Sequence, residues 1–174
     1  MRRLIFQNVA RGRLTEPPPA PDEAALAELA ANLGRVARKK LGRSLAIREI
    51  DAGSCNACEL EIHALNNAFY NIEGLGVRFV ASPRHADLLL VTGPVSRHME
   101  LALKRTYDAT PDPKLVVAVG DCGSTGGIFG CSYASAGAVA NVIPVNVAVP
   151  GCPPSPNRIL AGILTAFTPT ASRR

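Results

Sequence analysis

The sequence predicts an α/β domain built on an open, doubly wound, mostly parallel sheet with helices on both faces. From Ser44 onward, short apolar runs alternate with segments of helical periodicity, which is the pattern of βαβ units. The run from Leu115 to Val119 is apolar throughout and has no polar side. Strands of this kind are typical of a parallel sheet that helices cover on both faces.

Five strands and three helices are expected after residue 44. The strands are predicted at residues 45–50, 77–81, 87–92, 115–119 and 143–149. Helices are predicted over residues 59–70 and 95–107, and a last one starts at Ser155 and Pro156, where a serine N-cap precedes a proline in the first helical position. Five apolar residues form the expected buried face of this helix: Ile159, Leu160, Ile163, Leu164 and Phe167.

Residues 1–43 differ in charge from the rest of the chain. They hold nine of the 19 Lys and Arg residues but four of the 14 Asp and Glu residues, so the net charge of +5 lies in this segment. The run PPPAP after Glu16 predicts a stiff linker, and residues 22–40 predict an amphipathic helix. We therefore divide the chain into a basic arm with one amphipathic helix, residues 1–43, and a domain over residues 44–174. The basic residues 35–43 are either a solvated helix end or a contact to anionic lipid or an acidic partner.

Several classes of protein are not expected from the composition. No apolar run approaches the roughly 20 residues of a membrane span, and the basic start lacks the apolar core of a signal peptide, so the expected compartment is the cytoplasm. Nucleic-acid binding is not expected, because the basic arm lacks interleaved aromatics and residues 44–174 are charge-neutral. Nucleotide binding is not expected either, because the segment GSTGG lacks the lysine and hydroxyl pairing of a P-loop.

Four of the five cysteines follow predicted strands. Cys55 and Cys58 come after the first strand, Cys122 after the strand at 115–119 and Cys152 after the strand at 143–149. Because the carboxyl ends of parallel strands lie side by side, we expect the four sulfurs to converge in one crevice. In a reducing compartment, an odd and unevenly spaced set of cysteines indicates metal or redox chemistry rather than disulfides.

Four thiolates are the ligand set of a [4Fe-4S] cluster, and the glycines around these cysteines would let the backbone approach it closely. Two alternatives stay open on the residues alone. A structural Zn²⁺ also binds four cysteines, although zinc ribbons usually bring them in two pairs. A thioredoxin-type dithiol would use Cys55 and Cys58 between a strand and a helix, but it leaves Cys122 and Cys152 without a role.

The cysteine-bearing segments resemble those of the complex I 20 kDa subunit family and its hydrogenase relatives. The resemblance is carried by DAGSCNACELEIHAL, SPRHADLLLVTGPVSR, KLVVAVGDCGSTGGIFG and VPGCPPSPNRILAGIL, and it covers about residues 45–167. The C-x-x-C spacing of Cys55 and Cys58 is similar to that in the small subunits of group 4 membrane-bound [NiFe] hydrogenases of the formate hydrogenlyase type. Complex I subunits have adjacent cysteines at this place.

This resemblance implies a flavodoxin-like domain in which Cys55, Cys58, Cys122 and Cys152 hold one proximal [4Fe-4S] cluster. The implied partners are a [NiFe] hydrogenase-type large subunit with the nickel–iron centre, a ferredoxin-like iron–sulfur subunit and the membrane subunits of the complex. The chain would transfer electrons without catalytic residues of its own, as a peripheral subunit on the cytoplasmic side of the inner (cell) membrane. The alternatives are a complex I type quinone-reducing subunit and a non-redox structural module in which the four cysteines bind zinc.

Four further residues are candidates for influencing the cluster from outside its ligand set: Glu59, Arg84, Gly53 and Gly123. Glu59 is expected either to relay protons or fix a hydrogen bond near the cluster, or to favour a helix N-terminus. Arg84 would either add positive charge near the cluster, or simply be solvated or paired with a carboxylate such as Asp87. The glycines would bring backbone N–H groups near the sulfurs. The fifth cysteine, Cys131, is expected to be a buried free thiol rather than a substitute ligand.

Overall fold

The computed structural model describes residues 23–167. The strands in this range are β1 (Leu45–Asp51), β2 (Val77–Phe79), β3 (Leu88–Thr92), β4 (Val95–Ser96), β5 (Leu115–Val119), β6 (Ser135–Gly137) and β7 (Val147–Val149). The α-helices are α1 (Glu23–Leu41), α2 (Ala57–Ala64), α3 (Arg97–Ala109), α4 (Gly120–Thr125) and α5 (Pro156–Phe167). None of the helices in residues 23–167 is long and apolar enough to cross a membrane.

Five strands form one parallel sheet in the order β2-β1-β3-β5-β7. The short strands β4 and β6 pair antiparallel beside it. Counted along the chain within the large sheet alone, the strand order is 2-1-3-4-5, which is the flavodoxin-like arrangement. The predicted fold class is therefore confirmed.

Both faces of the sheet are buried under helices. In β3, Leu88 and Leu90 join one buried cluster, whereas Leu89 and Val91 join a second one on the opposite face. The first cluster includes side chains of α1, α2 and α5, and the second includes Leu103 of α3. Successive residues of a strand point to opposite faces, so a strand covered on both sides needs the uninterrupted apolar run that the sequence shows.

Helix α2 ends at Ala64, earlier than the predicted end at residue 70. The side-chain Oδ1 of Asn67 accepts hydrogen bonds from the backbone N–H groups of Phe69 and Tyr70, both at 2.9 Å. Asparagine side chains that bond the nearby backbone in this way compete with helical hydrogen bonds. The turn after Ala64 therefore replaces the predicted second half of the helix.

Two other elements have bounds that differ from the prediction. The strand expected at 143–149 is confined to β7, because Pro144 has no backbone donor for a sheet ladder. Asn146, directly before β7, forms two hydrogen bonds with Val116 of β5. Its Oδ1 accepts the N–H of Val116 at 2.7 Å, and its N–H donates to the Val116 carbonyl at 2.9 Å. The helix predicted from residue 95 starts at Arg97, because residues 95–96 pair with β6 instead.

Helix α1 packs onto the domain. Its Leu33 is completely buried in the first core cluster, and the helix contacts α5. Basic side chains near its end bond within the chain: Arg38 Nε donates to the Gly34 carbonyl, Lys40 Nζ donates to the Phe167 carbonyl, and Arg43 pairs with Asp87 at 2.6 Å. The arm and linker expected before residue 22 lie outside the described residues, and the division between residues 43 and 44 stays a prediction.

Candidate metal centre

Cysteines from three loops meet at the carboxyl edge of the large sheet. Cys55 and Cys58 follow β1, Cys122 lies in α4 directly after β5, and Cys152 follows β7. All four line a single pocket, together with six neighbours: Ser54, Ala57, Gly93, Asp121, Gly151 and Pro153. The strand ends therefore bring the cysteines together as their positions in the sequence predicted.

The loop that carries Cys55 is fixed by the last residue of β1. Asp51 Oδ1 accepts hydrogen bonds from the backbone N–H groups of Gly53 and Ser54, both at 2.8 Å. Asn56 then adopts a left-handed conformation with φ of 70°, and α2 begins at the following residue. This tight turn places Cys55 before the helix and Cys58 in its first turn, so both thiols face the same pocket.

Two glycines let the backbone approach the sulfurs closely. At Gly120, φ is +83° and a Cβ would stand 2.7 Å from the Sγ of Cys58. At Gly127, φ is +53° and a Cβ would stand 2.8 Å from the Sγ of Cys122. Real Cβ atoms do not occupy such distances, so a side chain at either position would collide with a thiol. The site therefore depends on glycine for both its backbone shape and its free space.

Burial is the main influence on two of the thiols in the pocket, those of Cys58 and Cys122. It raises the pKa of Cys58 to about 12, and the charges of Glu59, Cys55, Cys122 and Cys152 act in the same direction. Burial is also the largest cause of the raised pKa of Cys122, and the charges of Cys152, Cys55 and Asp121 raise it further. The thiolate form at this site requires a compensating positive charge, and a bound metal supplies one.

The donor set fits an iron–sulfur cluster. Four soft sulfur donors share one pocket, and thiolate is the ligand that iron–sulfur clusters use. Among residues 23–167, no three or more Cys, His, Asp or Glu side chains are grouped as ligands of a single metal ion. The thiolates of a four-iron cube each bind a different iron, so they stand farther apart than the ligands of one ion.

Glu59 is the most unusual of the neighbouring side chains. It is 6% exposed, and neither of its carboxylate oxygens has a hydrogen-bond partner in the structure. Burial is the largest cause of the raised pKa values of Cys58 and Glu49, and the charge of Glu59 raises both further. The carboxylate is thus close enough to act electrostatically on both Cys58 and Glu49. Its influence on a cluster stays a prediction.

The other three candidates lie in different surroundings. Gly53 belongs to the turn held by Asp51, and a Cβ there would stand 3.0 Å from the Pro94 carbonyl. Gly123 is buried, and a Cβ there would stand 3.4 Å from the Val91 carbonyl. Arg84 is exposed in a 3₁₀ turn before the amino end of β3, and it does not line the cysteine pocket. Their effect on a cluster also stays a prediction.

Cys131 is exposed, so the expectation of a buried thiol is wrong. Its Sγ donates to the Ala136 carbonyl at 3.3 Å, and the two residues form an isolated antiparallel bridge. The thiol is exposed because the loop after α4 runs over the surface before returning to β6. Cys131 does not line the pocket of the other four cysteines.

Two features of the site were missed by sequence reasoning. Asp121 bonds to Gly151 across two cysteine loops, and its position directly before Cys122 is the signal that could have drawn attention to it. Three large apolar side chains in the loop after α4 are exposed, namely Ile128, Phe129 and Tyr133. Apolar residues of this size in a glycine-rich loop are themselves a sequence signal of a contact surface.

Known proteins resemble this chain over most of its described length. It is 46% identical over 129 residues to a probable membrane-bound hydrogenase subunit of Pyrococcus furiosus, covering 74% of this chain and 77% of that protein. It is 40% identical over 151 residues to formate hydrogenlyase subunit 7 of Escherichia coli, covering 87% of this chain and 58% of that protein.

A solved structure has a similar fold. In the membrane-bound sulfane sulfur reductase, an archaeal respiratory membrane complex, one chain aligns with a TM-score of 0.63 and 36% identity over 78% of this chain and 73% of its own length. Residues 55–166 also match the family described as the 20 kDa subunit of NADH ubiquinone oxidoreductase. The chain therefore belongs to that family, as the resemblance of its cysteine segments predicted, and its relatives are subunits of membrane-associated oxidoreductase complexes.

Proposed function

We propose that this chain is the electron-transfer small subunit of a membrane-associated [NiFe] hydrogenase complex of the formate hydrogenlyase type. Four of its five cysteines, Cys55, Cys58, Cys122 and Cys152, hold one proximal [4Fe-4S] cluster. The observation that carries the proposal is the single pocket that these four thiols line at the carboxyl edge of the sheet. The cluster, when bound, accepts and gives up one electron at a time.

The residues around the pocket suit an electron-transfer role. The turn held by Asp51 and the glycines at 120 and 127 bring backbone close to the thiols. Cys58 and Cys122 are half-buried, and partial exclusion of water around a bound group is one of the factors that set a reduction potential. No residue of this chain is assigned a catalytic role.

The hydrogenase branch is favoured over a complex I type subunit by the spacing of Cys55 and Cys58. Relatives named as hydrogenase and formate hydrogenlyase subunits match over 74% and 87% of this chain. The sulfane sulfur reductase shows that similar chains also belong to other respiratory membrane complexes. A complex I type quinone-reducing subunit therefore remains the second candidate, and a structural zinc module with four cysteine ligands the third.

The partners would contact the chain near the cysteine edge. Ile128, Phe129 and Tyr133 lie in the loop that begins beside Cys122, and they are 95%, 57% and 98% exposed. Exposed apolar groups of this size mark interaction surfaces. This loop suits the large subunit with the nickel–iron centre, while a ferredoxin-like subunit and the membrane subunits complete the complex. The chain would be peripheral, on the cytoplasmic side of the inner membrane.

Anaerobic purification of the whole complex through a tag on this chain tests the proposal. Metal analysis should find about four irons and four sulfides that belong to this chain, with a reducible EPR signal. Nickel and hydrogen turnover should accompany a co-purifying large subunit. One zinc and no iron in this chain would establish the zinc alternative. Iron without nickel, together with quinone reduction, would establish the complex I type.

A further inference from the structure

Asp121 connects the two loops that each contribute a single cysteine. Its side-chain Oδ1 accepts a hydrogen bond from the backbone N–H of Gly151 at 2.8 Å, and its own backbone N–H donates to the Gly151 carbonyl, also at 2.8 Å. Asp121 directly precedes Cys122, and Gly151 directly precedes Cys152. The two hydrogen bonds therefore join the backbones beside these two thiols.

The cysteines differ in how the chain fixes their spacing. Cys55 and Cys58 lie in one tight turn, so their separation is set locally. Cys122 and Cys152 lie on separate loops, and the last pairing between their strands is Val119 with Val149. Beyond that pairing, the sheet ladder no longer holds the two loops together. The Asp121 to Gly151 bonds continue the connection to the residues beside the thiols.

The surrounding backbone favours this connection. Gly151 has φ of +138°, and a Cβ there would stand 2.7 Å from the Cα of Pro154, so its loop is held in a shape that only glycine adopts readily. Gly120, directly before Asp121, lies so close that a Cβ there would stand 3.4 Å from the Gly151 carbonyl. Both loops thus approach each other closely, within reach of one carboxylate.

We propose that Asp121 is a positioning residue that holds the Cys122 and Cys152 loops together as a preformed pair of cluster ligands. This inference rests on the proposed function, because it concerns the same four thiols. Groups that orient metal ligands from outside the ligand set typically affect metal retention by roughly 10 to 100-fold when they are removed. Asp121 acts through backbone position and does not itself touch the cluster.

Asn146 provides a matched control. It forms the same kind of two-way bond with Val116, between the same strands β5 and β7, but at their amino ends. Substitution of Asn146 removes one side-chain bond between β5 and β7 without touching the cysteine loops. If Asp121 served only to stabilise this strand pair, the variants D121A and N146A would change iron retention equally.

The test compares wild type, D121A, D121N and N146A in the anaerobically purified complex. The first readout is the rate at which a chelator removes iron from this chain, and the second is the EPR spectrum of the reduced cluster. We expect D121A to lose iron roughly ten times faster than wild type with an altered spectrum. D121N should lose iron within about threefold of the wild-type rate, because the Asn Oδ1 still accepts the Gly151 N–H. N146A should keep the wild-type rate and spectrum.

Three results would overturn the inference. The first is that D121A loses iron no faster than N146A, and the second is that D121N loses iron as fast as D121A, which would assign the effect to charge. The third result comes from hydrogen exchange of the wild-type chain, so it does not require D121A to fold. It would be exchange of the Gly151 amide with solvent as fast as that of an amide without a hydrogen bond. A wild-type complex without iron would defeat the proposed function, and this inference with it.

Discussion

Gly120 illustrates how a single residue shapes the cysteine site. Its φ of +83° is unfavourable for any residue with a Cβ, and the space that a Cβ would take is already filled by the Sγ of Cys58 at 2.7 Å. Strain of the backbone and collision with the thiol are therefore two separate penalties at this position. The two penalties can be separated by substituting another glycine that has a positive φ but no atom close to the position of a Cβ.

The substitution G120A should reduce the iron content of this chain severalfold, because the added methyl group displaces the Cys58 thiol. Metal analysis of the purified complex measures this. The control is G130A, since Gly130 has φ of +52° but no atom lies within 4 Å of the place that a Cβ would take. Both variants should lose about 1 kcal/mol of stability from the left-handed conformation. Equal iron contents in G120A and G130A would contradict the role of the close contact.

Glu49 should make the stability of the chain depend on pH. Burial raises the pKa of Glu49, the charges of Glu59 and Asp51 raise it further, and those of His63 and Arg48 oppose this. The pKa of this carboxyl is therefore higher in the folded chain than in the unfolded chain, where it is about 4.3. Its contribution to stability is fully present below about pH 4.3, and it is lost as the pH rises through the pKa of the folded chain.

The variant E49Q stays neutral, so it should unfold at a higher urea concentration than wild type at pH 8. The difference should shrink as the pH falls towards about 4.3, where wild-type Glu49 is protonated as well. Urea unfolding at several pH values provides the measurement. The variant E73Q serves as the control, because Glu73 is exposed. A gain for E49Q that is independent of pH would argue against the burial of a charged Glu49.

Residue-level roles were only partly predictable from sequence. The four cysteines could be found because each follows an apolar run that is recognisable as a strand. The role of Asp121 could not, because it depends on Gly151, which lies 30 positions away along the chain and meets Asp121 only once β5 and β7 are paired. The exposure of Cys131 was missed because a loop gives no periodic signal of burial.

At the scale of the elements, the start of α3 shows how a local signal sets a boundary. Ser96 is the N-cap residue of α3, and its side chain accepts the backbone N–H of Met99 at 3.3 Å. The apolar pattern alone placed the helix start at residue 95, because periodicity does not reveal that Val95 pairs with β6. The same limit applies to β7 and α2, where Pro144 and Asn67 shortened the predicted elements.

The variant S96A should lower the free energy of unfolding by about 1 kcal/mol, because an orphan N–H group at the helix start loses its acceptor. Chemical denaturation provides the measurement. Ser82 offers a matched control, since it stands at the N-cap of a 3₁₀ turn without a side-chain capping bond. If S82A destabilised the chain as much as S96A does, the capping bond would not explain the loss.

For the molecule as a whole, the packing of α1 determines whether this helix belongs to the same domain as the sheet. The charge pattern suggested a boundary at residue 43, but Leu33 of α1 is completely buried among residues of the sheet and of α5. The amphipathic pattern predicted the helix, whereas its docking onto α5 depends on how two distant segments of the chain pack. A helix that fills part of the core contributes to the stability of the whole chain.

The variant L33A should lower the free energy of unfolding by roughly 2–5 kcal/mol, as expected for a large residue removed from a core. Its control is L101A, because Leu101 of α3 is 56% exposed and should change stability by less than about 0.5 kcal/mol. Similar small effects from both variants in chemical denaturation would show that α1 is dispensable for the stability of the domain.

The central claim is that four of the five cysteines hold one iron–sulfur cluster. The most direct measurement is the iron and sulfide content, with EPR of the reduced protein, for wild type and the five single Cys→Ala variants of the purified complex. We expect about four irons in this chain for wild type and C131A, and loss of the intact cluster in C55A, C58A, C122A and C152A. An intact four-iron cluster in C122A or C152A, or its loss in C131A alone, would contradict the claim.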